Sequence, residues 1–319
     1  MIKLYVVIPC YNEEEVLPVT SKVLTDKFKQ MIDDGIISSD SRVVFVDDGS
    51  KDRTWEMISQ LHSENAMFDG CKLSRNRGHQ NALLAGMSYA VDKADAIITM
   101  DADLQDDINA MDKFIEKFNE GCDIVYGVRS SRKKDTFFKK HTALAYYKLL
   151  AMLGCEIVNN HADYRLMSNR AVKALFDFKE VNLFLRGIVP MVGYKSDEVY
   201  YVREERAAGE SKYPLKKMIS FAVDGITSLS IKPIRLITVL GLICFLVSIG
   251  MLIYSIVGYC IGKTVSGWAS LITSIWALGG LQLLSIGVIG EYIGKIYLET
   301  KQRPRFIIEK SLEFEQDNK

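Results

Sequence analysis

From Leu236 to Gly262, and again from Trp268 to Gly290, the sequence carries no charged side chain. These runs of about 27 and about 23 residues each exceed the ~20 that an α-helix needs to cross the hydrocarbon of a bilayer. Only Lys263–Gly267 separates them, so two spans must turn back as a tight hairpin with both outer ends on one side. Lys232 and Arg235 precede the first run, and Lys295, Lys301, Arg303 and Arg305 follow the second, against Lys263 alone in the turn. That bias predicts a multi-pass protein of the cell membrane with both termini cytoplasmic.

Composition agrees with a chain partly in lipid, since 48% of the 319 residues are hydrophobic and the mean hydropathy is +0.06. The formal net charge is zero, so no basic field recruits nucleic acid. The six cysteines, Cys10, Cys71, Cys122, Cys155, Cys244 and Cys260, show no C-x-x-C spacing and read as reduced, buried residues. Nothing reads as a cleavable signal, because the apolar stretch Ile2–Ile8 is short and Glu13, Glu14 and Glu15 follow it.

The first half alternates short apolar runs with amphipathic stretches. Leu4–Pro9, Arg42–Val46, Gly70–Leu73, Ala96–Met100 and Asp123–Val128 read as strands, nearly all apolar, as strands buried on both faces are. Glu13–Ile32, Asp52–Glu64, Gly78–Val91 and Ile108–Asn119 carry apolar residues at helical spacing between them. The order predicts a doubly wound, mostly parallel α/β sheet. Ligands bind such sheets beyond the carboxyl ends of the strands, where Pro9, Asp47, Asp48, Asp101 and Asp103 fall. Carboxylates crowded there repel one another unless a divalent cation joins them, and an all-oxygen donor set suits Mg²⁺ or Mn²⁺. Asp101, Asp103 and Gln105 alternate along an extended segment and so share one face.

Further on, a short strand at Glu198–Val202 is followed by a Gly- and Pro-containing loop. In Leu215–Leu229 the apolar residues recur at three- and four-residue steps with Lys216 and Lys217 opposite. That pattern suits a helix in the membrane interface, or equally a surface helix packed on the globular part. The tail from Ser311 is expected to be frayed and solvated.

Val7-Ile8-Pro9-Cys10-Tyr11-Asn12-Glu13-Glu14, Val46-Asp47-Asp48-Gly49-Ser50 and Asp101-x-Asp103-x-Gln105 resemble the signature of family-2 glycosyltransferases with a GT-A, Rossmann-like fold. His161-Ala-Asp163-Tyr-Arg165-Leu, Leu185-Arg186-Gly187, Arg206-x-x-Gly209-x-Ser211-Lys212-Tyr213 and the terminal hairpin resemble its polyprenyl-phosphate branch, which includes bactoprenol glucosyltransferases and is similar to dolichol-phosphate mannose synthase. The resemblance covers nearly the whole chain. It implies a GT-A catalytic domain over residues 1–213, an interfacial helix over 214–232, the two-span hairpin over 233–298 and a cytoplasmic tail over 299–319. Where many relatives continue Asp101-x-Asp103 with Pro-Pro-Glu, Asp106-Asp107-Ile108-Asn109 stands here.

By the same resemblance the donor is a nucleotide sugar, UDP-glucose by expectation, and the acceptor is undecaprenyl or a similar polyprenyl phosphate. The transfer is expected to be inverting and to need no covalent intermediate. Pro9, Tyr11, Glu13, Asp48, Asp101, Arg75 and Arg129 are implied on the donor side. Asp101, Asp103 and Gln105 are implied for Mg²⁺ or Mn²⁺; Asp163, Asp103 and Arg165 for the catalytic centre; and Arg132, Arg206, Ser211 and Lys212 for the acceptor phosphate. Asp47 and Asp52 have a second reading as caps of the helix that follows them. His79 stands between a structural and a chemical role, and the basic residues of the 129–140 stretch also suit anionic headgroups. A homo-oligomer is compatible with this reading. Two rivals remain: a processive polysaccharide synthase, which usually needs a Q-x-x-R-W motif and more spans, and a catalytically silent scaffold.

Overall fold

The computed structural model describes residues 1–130, 161–181, 184–203, 232–261 and 267–313. Strands β1 (Leu4–Cys10), β2 (Arg42–Asp47), β3 (Phe68–Leu73) and β4 (Ala96–Thr99) alternate with helices α1 (Leu17–Asp33), α2 (Thr54–Glu64), α3 (His79–Ala90) and α4 (Ala110–Asn119). Then come β5 (Ile124–Arg129), β6 (His161–Ser168), α5 (Asn169–Phe176), α6 (Leu185–Met191) and β7 (Ser196–Tyr201). The helices α7 (Lys232–Cys260) and α8 (Trp268–Thr300) and a last strand, β8 (Ile308–Leu312), complete the order.

One sheet holds all eight strands in the order β7-β5-β6-β4-β1-β2-β3-β8. The β1–β2, β1–β4, β2–β3 and β5–β7 pairs are parallel. The β4–β6, β5–β6 and β3–β8 pairs are antiparallel. The expectation of a mostly parallel sheet is thereby corrected to a mixed one. Apolar runs reveal that a strand is buried and not which way it points, and β6 was legible only as a motif. Its charged Asp163 and Arg165 alternate with buried Ala162, Tyr164 and Leu166, so it lacks the continuous apolarity of its neighbours.

Alternation along β1 builds two cores. Leu4, Val6 and Ile8 face Leu24 and Phe28 of α1 and Phe114 of α4. Tyr5 and Val7 face α3, α5 and α6. Helix α3 approaches very closely, because a Cβ on Gly86 would stand 2.7 Å from Val46 Cγ2. The small residues of α3 therefore serve contact with the sheet.

Of the tail expected to fray from Ser311, the described residues 311–313 are held in place, and the rest lies outside the described residues. In β8, Ser311 and Leu312 pair with Cys71 and Gly70 of β3, and Lys93 and Glu313 form an ion pair at 2.7 Å. The chain that follows the two long helices thus returns to the edge of the same sheet. Helices α7 and α8 have 29 and 33 residues and touch one another; large apolar side chains such as Leu246, Val247, Leu283 and Ile286 stand exposed on them. Among the described residues, Ala277–Thr300 is long and apolar enough to cross a membrane, with mean hydropathy 1.3. The interfacial helix expected at 214–232 lies outside the described residues except for Lys232, which is the first residue of α7.

Candidate active site

The loops at the carboxyl ends of β1, β2, β3 and β4 are tied together by their own polar side chains. The Asn12 amide donates to Ser50 Oγ at 3.0 Å, the Lys51 amide to Asn12 Oδ1 at 2.9 Å, and the Asp48 amide to the Cys10 carbonyl at 2.8 Å. Pro9 is buried, Glu13 is partly buried and the Tyr11 ring is exposed above this junction. An exposed ring beside a rigid turn is suited to stacking on a base.

Asp48, though expected on the donor, is already engaged. Its Oδ1 accepts from the Arg77 amide at 2.6 Å and its Oδ2 from the Gly78 amide at 2.9 Å. It therefore shapes the loop that carries Arg75, which is itself exposed. Burial raises the Asp48 pKa, and these two amides oppose that rise. Asp47 is fully buried and its Oδ1 accepts from Ser50 N at 3.0 Å. Asp52 accepts from the Thr54 amide at 3.1 Å and so bonds the first residue of α2 from just before its N-cap, Arg53.

Gly49 lets these loops meet. Its φ is +67°, and a Cβ there would lie 2.6 Å from the Asn76 backbone nitrogen. Gly49→Ala should destabilise the fold by about 1–3 kcal/mol, since it combines a strained backbone with a backbone clash. A urea denaturation midpoint unchanged from wild type would overturn that account.

Asp101 and Asp103 follow β4 as expected. The loop is pinned by Thr20 Oγ1, which donates to the Ala102 carbonyl at 2.7 Å, and Leu104 adopts a φ of +53°. Asp103 Oδ1 accepts from the Gln105 amide at 3.2 Å, and the Gln105 side chain is bonded by Arg203. His79, the first residue of α3, meets Asp101 Oδ1 through Nε2 at 2.8 Å. The protein surroundings penalise both charges, yet the pair itself prevails: the His79 pKa is raised and that of Asp101 lowered.

Asp163 is held between two guanidiniums. Arg165 Nη2 donates to its Oδ1 at 2.6 Å, while Arg186 donates through Nε at 3.3 Å and through Nη2 at 3.0 Å to its two oxygens. Burial alone would raise its pKa, but the Arg186 and then the Arg165 guanidiniums outweigh it and hold the group far below the usual carboxylate range. The Asp163 carbonyl also accepts from Thr99 Oγ1 at 2.6 Å, which locks β6 to the end of β4. Such a carboxylate orients and balances charge; it is a poor proton acceptor.

The fold brings Asp101 and Asp163 into one electrostatic cluster with His79, Arg165 and Arg186. Arg129 bonds Asp106 at 3.3 Å and the Tyr201 hydroxyl at 3.4 Å, and its charge still acts on Asp101 and Arg186 of this cluster. Arg132, Arg206, Ser211 and Lys212 lie outside the described residues. Arg186 stands in Leu185-Arg186-Gly187 with no role legible from the residues alone, because its clamp on Asp163 joins positions 23 apart in sequence. The buried Asp106, which accepts from Tyr201 and Arg129, had no sequence signal beyond its departure from Pro-Pro-Glu.

Among the described residues no three His, Cys, Asp or Glu side chains gather as a ready metal cage. Two carboxylates in one pinned loop still fit Mg²⁺ or Mn²⁺, because such ions are commonly held by one or two carboxylates together with substrate phosphates.

Comparison with known proteins places this geometry. The profile of Glycosyl transferase family 2 matches residues 5–176, and that of the GtrB C-terminal hairpin matches residues 232–296. The uncharacterized glycosyltransferase YkoT of Bacillus subtilis is 54% identical, over 98% of this chain and 93% of its own length. The SfII prophage-derived bactoprenol glucosyl transferase of Shigella flexneri is 41% identical, over 97% of this chain and 98% of its own. A prophage bactoprenol glucosyl transferase homolog of Escherichia coli is 40% identical, over 97% and 99%. The chain therefore belongs to glycosyl transferase family 2, carries the GtrB-type C-terminal hairpin, and is a glycosyltransferase.

Proposed function

We propose that the enzyme transfers glucose from UDP-glucose to undecaprenyl phosphate or a similar polyprenyl phosphate, with inversion at the anomeric carbon. The acceptor phosphate oxygen attacks that carbon as its bond to the nucleoside diphosphate breaks. Support for the acceptor and sugar comes from relatives named bactoprenol glucosyl transferases that align with this chain end to end. The observation that carries the mechanism is the clamped Asp163. A carboxylate gripped by two guanidiniums does not collect a proton, and a phosphomonoester with a second pKa near ~6 does not require that it should.

In this reading Tyr11 and Pro9 flank the base, and Glu13 lies at the same pocket. Asp48 fixes the loop that opens α3, whose amino end and Arg75 face the donor phosphates. Asp101, Asp103 and Gln105 hold Mg²⁺ or Mn²⁺, which supplies charge neutralisation to the departing diphosphate. Arg129 shares its guanidinium with Asp106 at the same edge. Arg132, Arg206, Ser211 and Lys212 are proposed to bind the acceptor phosphate from segments nearer the lipid. Both α7 and α8 are proposed to span the membrane. The pairing of β8 with β3 supports a common side for both outer ends, since strands in one sheet cannot lie on opposite faces of a bilayer.

Labelled UDP-glucose added to sealed inside-out vesicles should put label into organic-extractable lipid, and sealed right-side-out vesicles should not. Label in long polymer would favour the synthase, and no labelled product would favour the scaffold. Either outcome, or equal labelling from both faces, sinks the corresponding part of the proposal.

A further inference from the structure

Helix α8 ends on an electrostatic oddity. Glu299 lies one residue before its last residue, where unpaired carbonyls already concentrate negative charge, and no basic residue occupies that turn. The charge of Arg305 acts on Glu299, and a contact ties it to the globular part: the Val181 amide donates to the Glu299 carboxylate, 2.8 Å from each oxygen. Just beyond, Arg305 donates to the Phe178 carbonyl. Phe178 and Phe306 pack against the same core that contains Leu185, Ile188 and Val189 of α6. The end of the hairpin is thus bonded and packed onto the approach to α6.

That approach leads to the clamp. Gln80 of α3 accepts from the Leu185 amide at 2.8 Å, and Leu185 is followed by Arg186, which grips both Asp163 oxygens. Gln80 holds the approach from the donor side, and Glu299 holds it from the membrane side. We propose that Glu299 is a positioning residue for transfer, fixing from the hairpin the segment that presents Arg186 to Asp163. This rests on the reading of Asp163 as the orienting carboxylate. Its consequence is that the seating of α8 in the bilayer and the readiness of the site are mechanically linked.

The test uses the full-length enzyme in lipid nanodiscs with UDP-glucose and polyprenyl phosphate. Glu299→Ala should lower kcat about tenfold with the Kd for UDP unchanged within about twofold, because the donor loops do not touch it. Glu299→Gln keeps an oxygen for the Val181 amide and should recover most of the activity. Glu299→Asp, one methylene short, should resemble Glu299→Ala and retains the charge should that variant fold poorly. In an Arg186→Ala background, Glu299→Ala should lower kcat no further, since the two act through one contact. Wild-type kcat in Glu299→Ala, losses that multiply in the Arg186→Ala background, or a matching loss of UDP binding would each overturn the proposal. Near-normal turnover of Asp163→Asn would instead remove the reading beneath it.

Discussion

Asp163→Asn should lower transfer on the order of a thousandfold, the scale of losing a buried, oriented charge at a reacting centre. The amide occupies the same space, but it leaves Arg165 and Arg186 facing each other without their shared anion. Arg165 is only 2% exposed, so the variant should also unfold more easily, by roughly 3–5 kcal/mol as for other broken buried pairs. Nucleotide binding, which we propose uses the loops after β1 and β2, should persist in the protein that remains folded. The pH behaviour separates orientation from proton transfer. Because Asp163's pKa is depressed on folding, its stabilising effect is present above the unfolded carboxyl value near ~3.9 and is lost as pH falls toward the folded one. Across pH 5 to 9 it therefore contributes no titration, and any acidic limb in kcat/KM should sit near the acceptor's second ionisation at ~6. Pre-steady-state rates with a soluble short-chain polyprenyl phosphate would measure this. A variant that regains activity at high pH would show Asp163 to be a base and overturn the assignment.

Asp103→Asn should lower transfer a hundredfold or more, if metal stabilisation of the leaving diphosphate is worth several kcal/mol. Asp101→Asn should match it and also lose the charge that His79 faces at 2.8 Å. The loop itself should survive, since Thr20 and the Leu104 backbone help set its path and an asparagine side-chain oxygen can still accept from the Gln105 amide as Asp103 does. Thermal unfolding should hence shift little in Asp103→Asn, and added Mn²⁺ should raise wild-type turnover while leaving the variant's low. Full wild-type activity in excess chelator, or normal turnover of Asp103→Asn, would remove the metal assignment.

The loops of the proposed donor side were legible from residues because their signals are local. Pro9, Asp47, Asp48, Asp101 and Asp103 each sit within a few residues of an apolar strand, and strand ends in an α/β sheet are where ligands bind. The strand that carries Asp163 and Arg165 was legible only as resemblance. His161–Ser168 mixes buried and charged residues in alternation, which weakens the strand signal that would have put Asp163 beside Thr99. His79 looked equally like a structural residue until α3 began on it and aimed it at Asp101.

Hydrophobic pattern and spacing by themselves determined a layered α/β domain with buried strands, acidic loops at their carboxyl ends and two long apolar helices after it. Those properties follow from neighbours along the chain, through the side-chain periods of strand and helix. Strand direction, the return of β8 to β3, the double guanidinium clamp on Asp163 and the Glu299 contact with Val181 were decided only by the tertiary structure. Each joins residues far apart in sequence, and a hydrogen bond or ion pair at 2.6–3.3 Å selects among partners that local composition leaves equivalent.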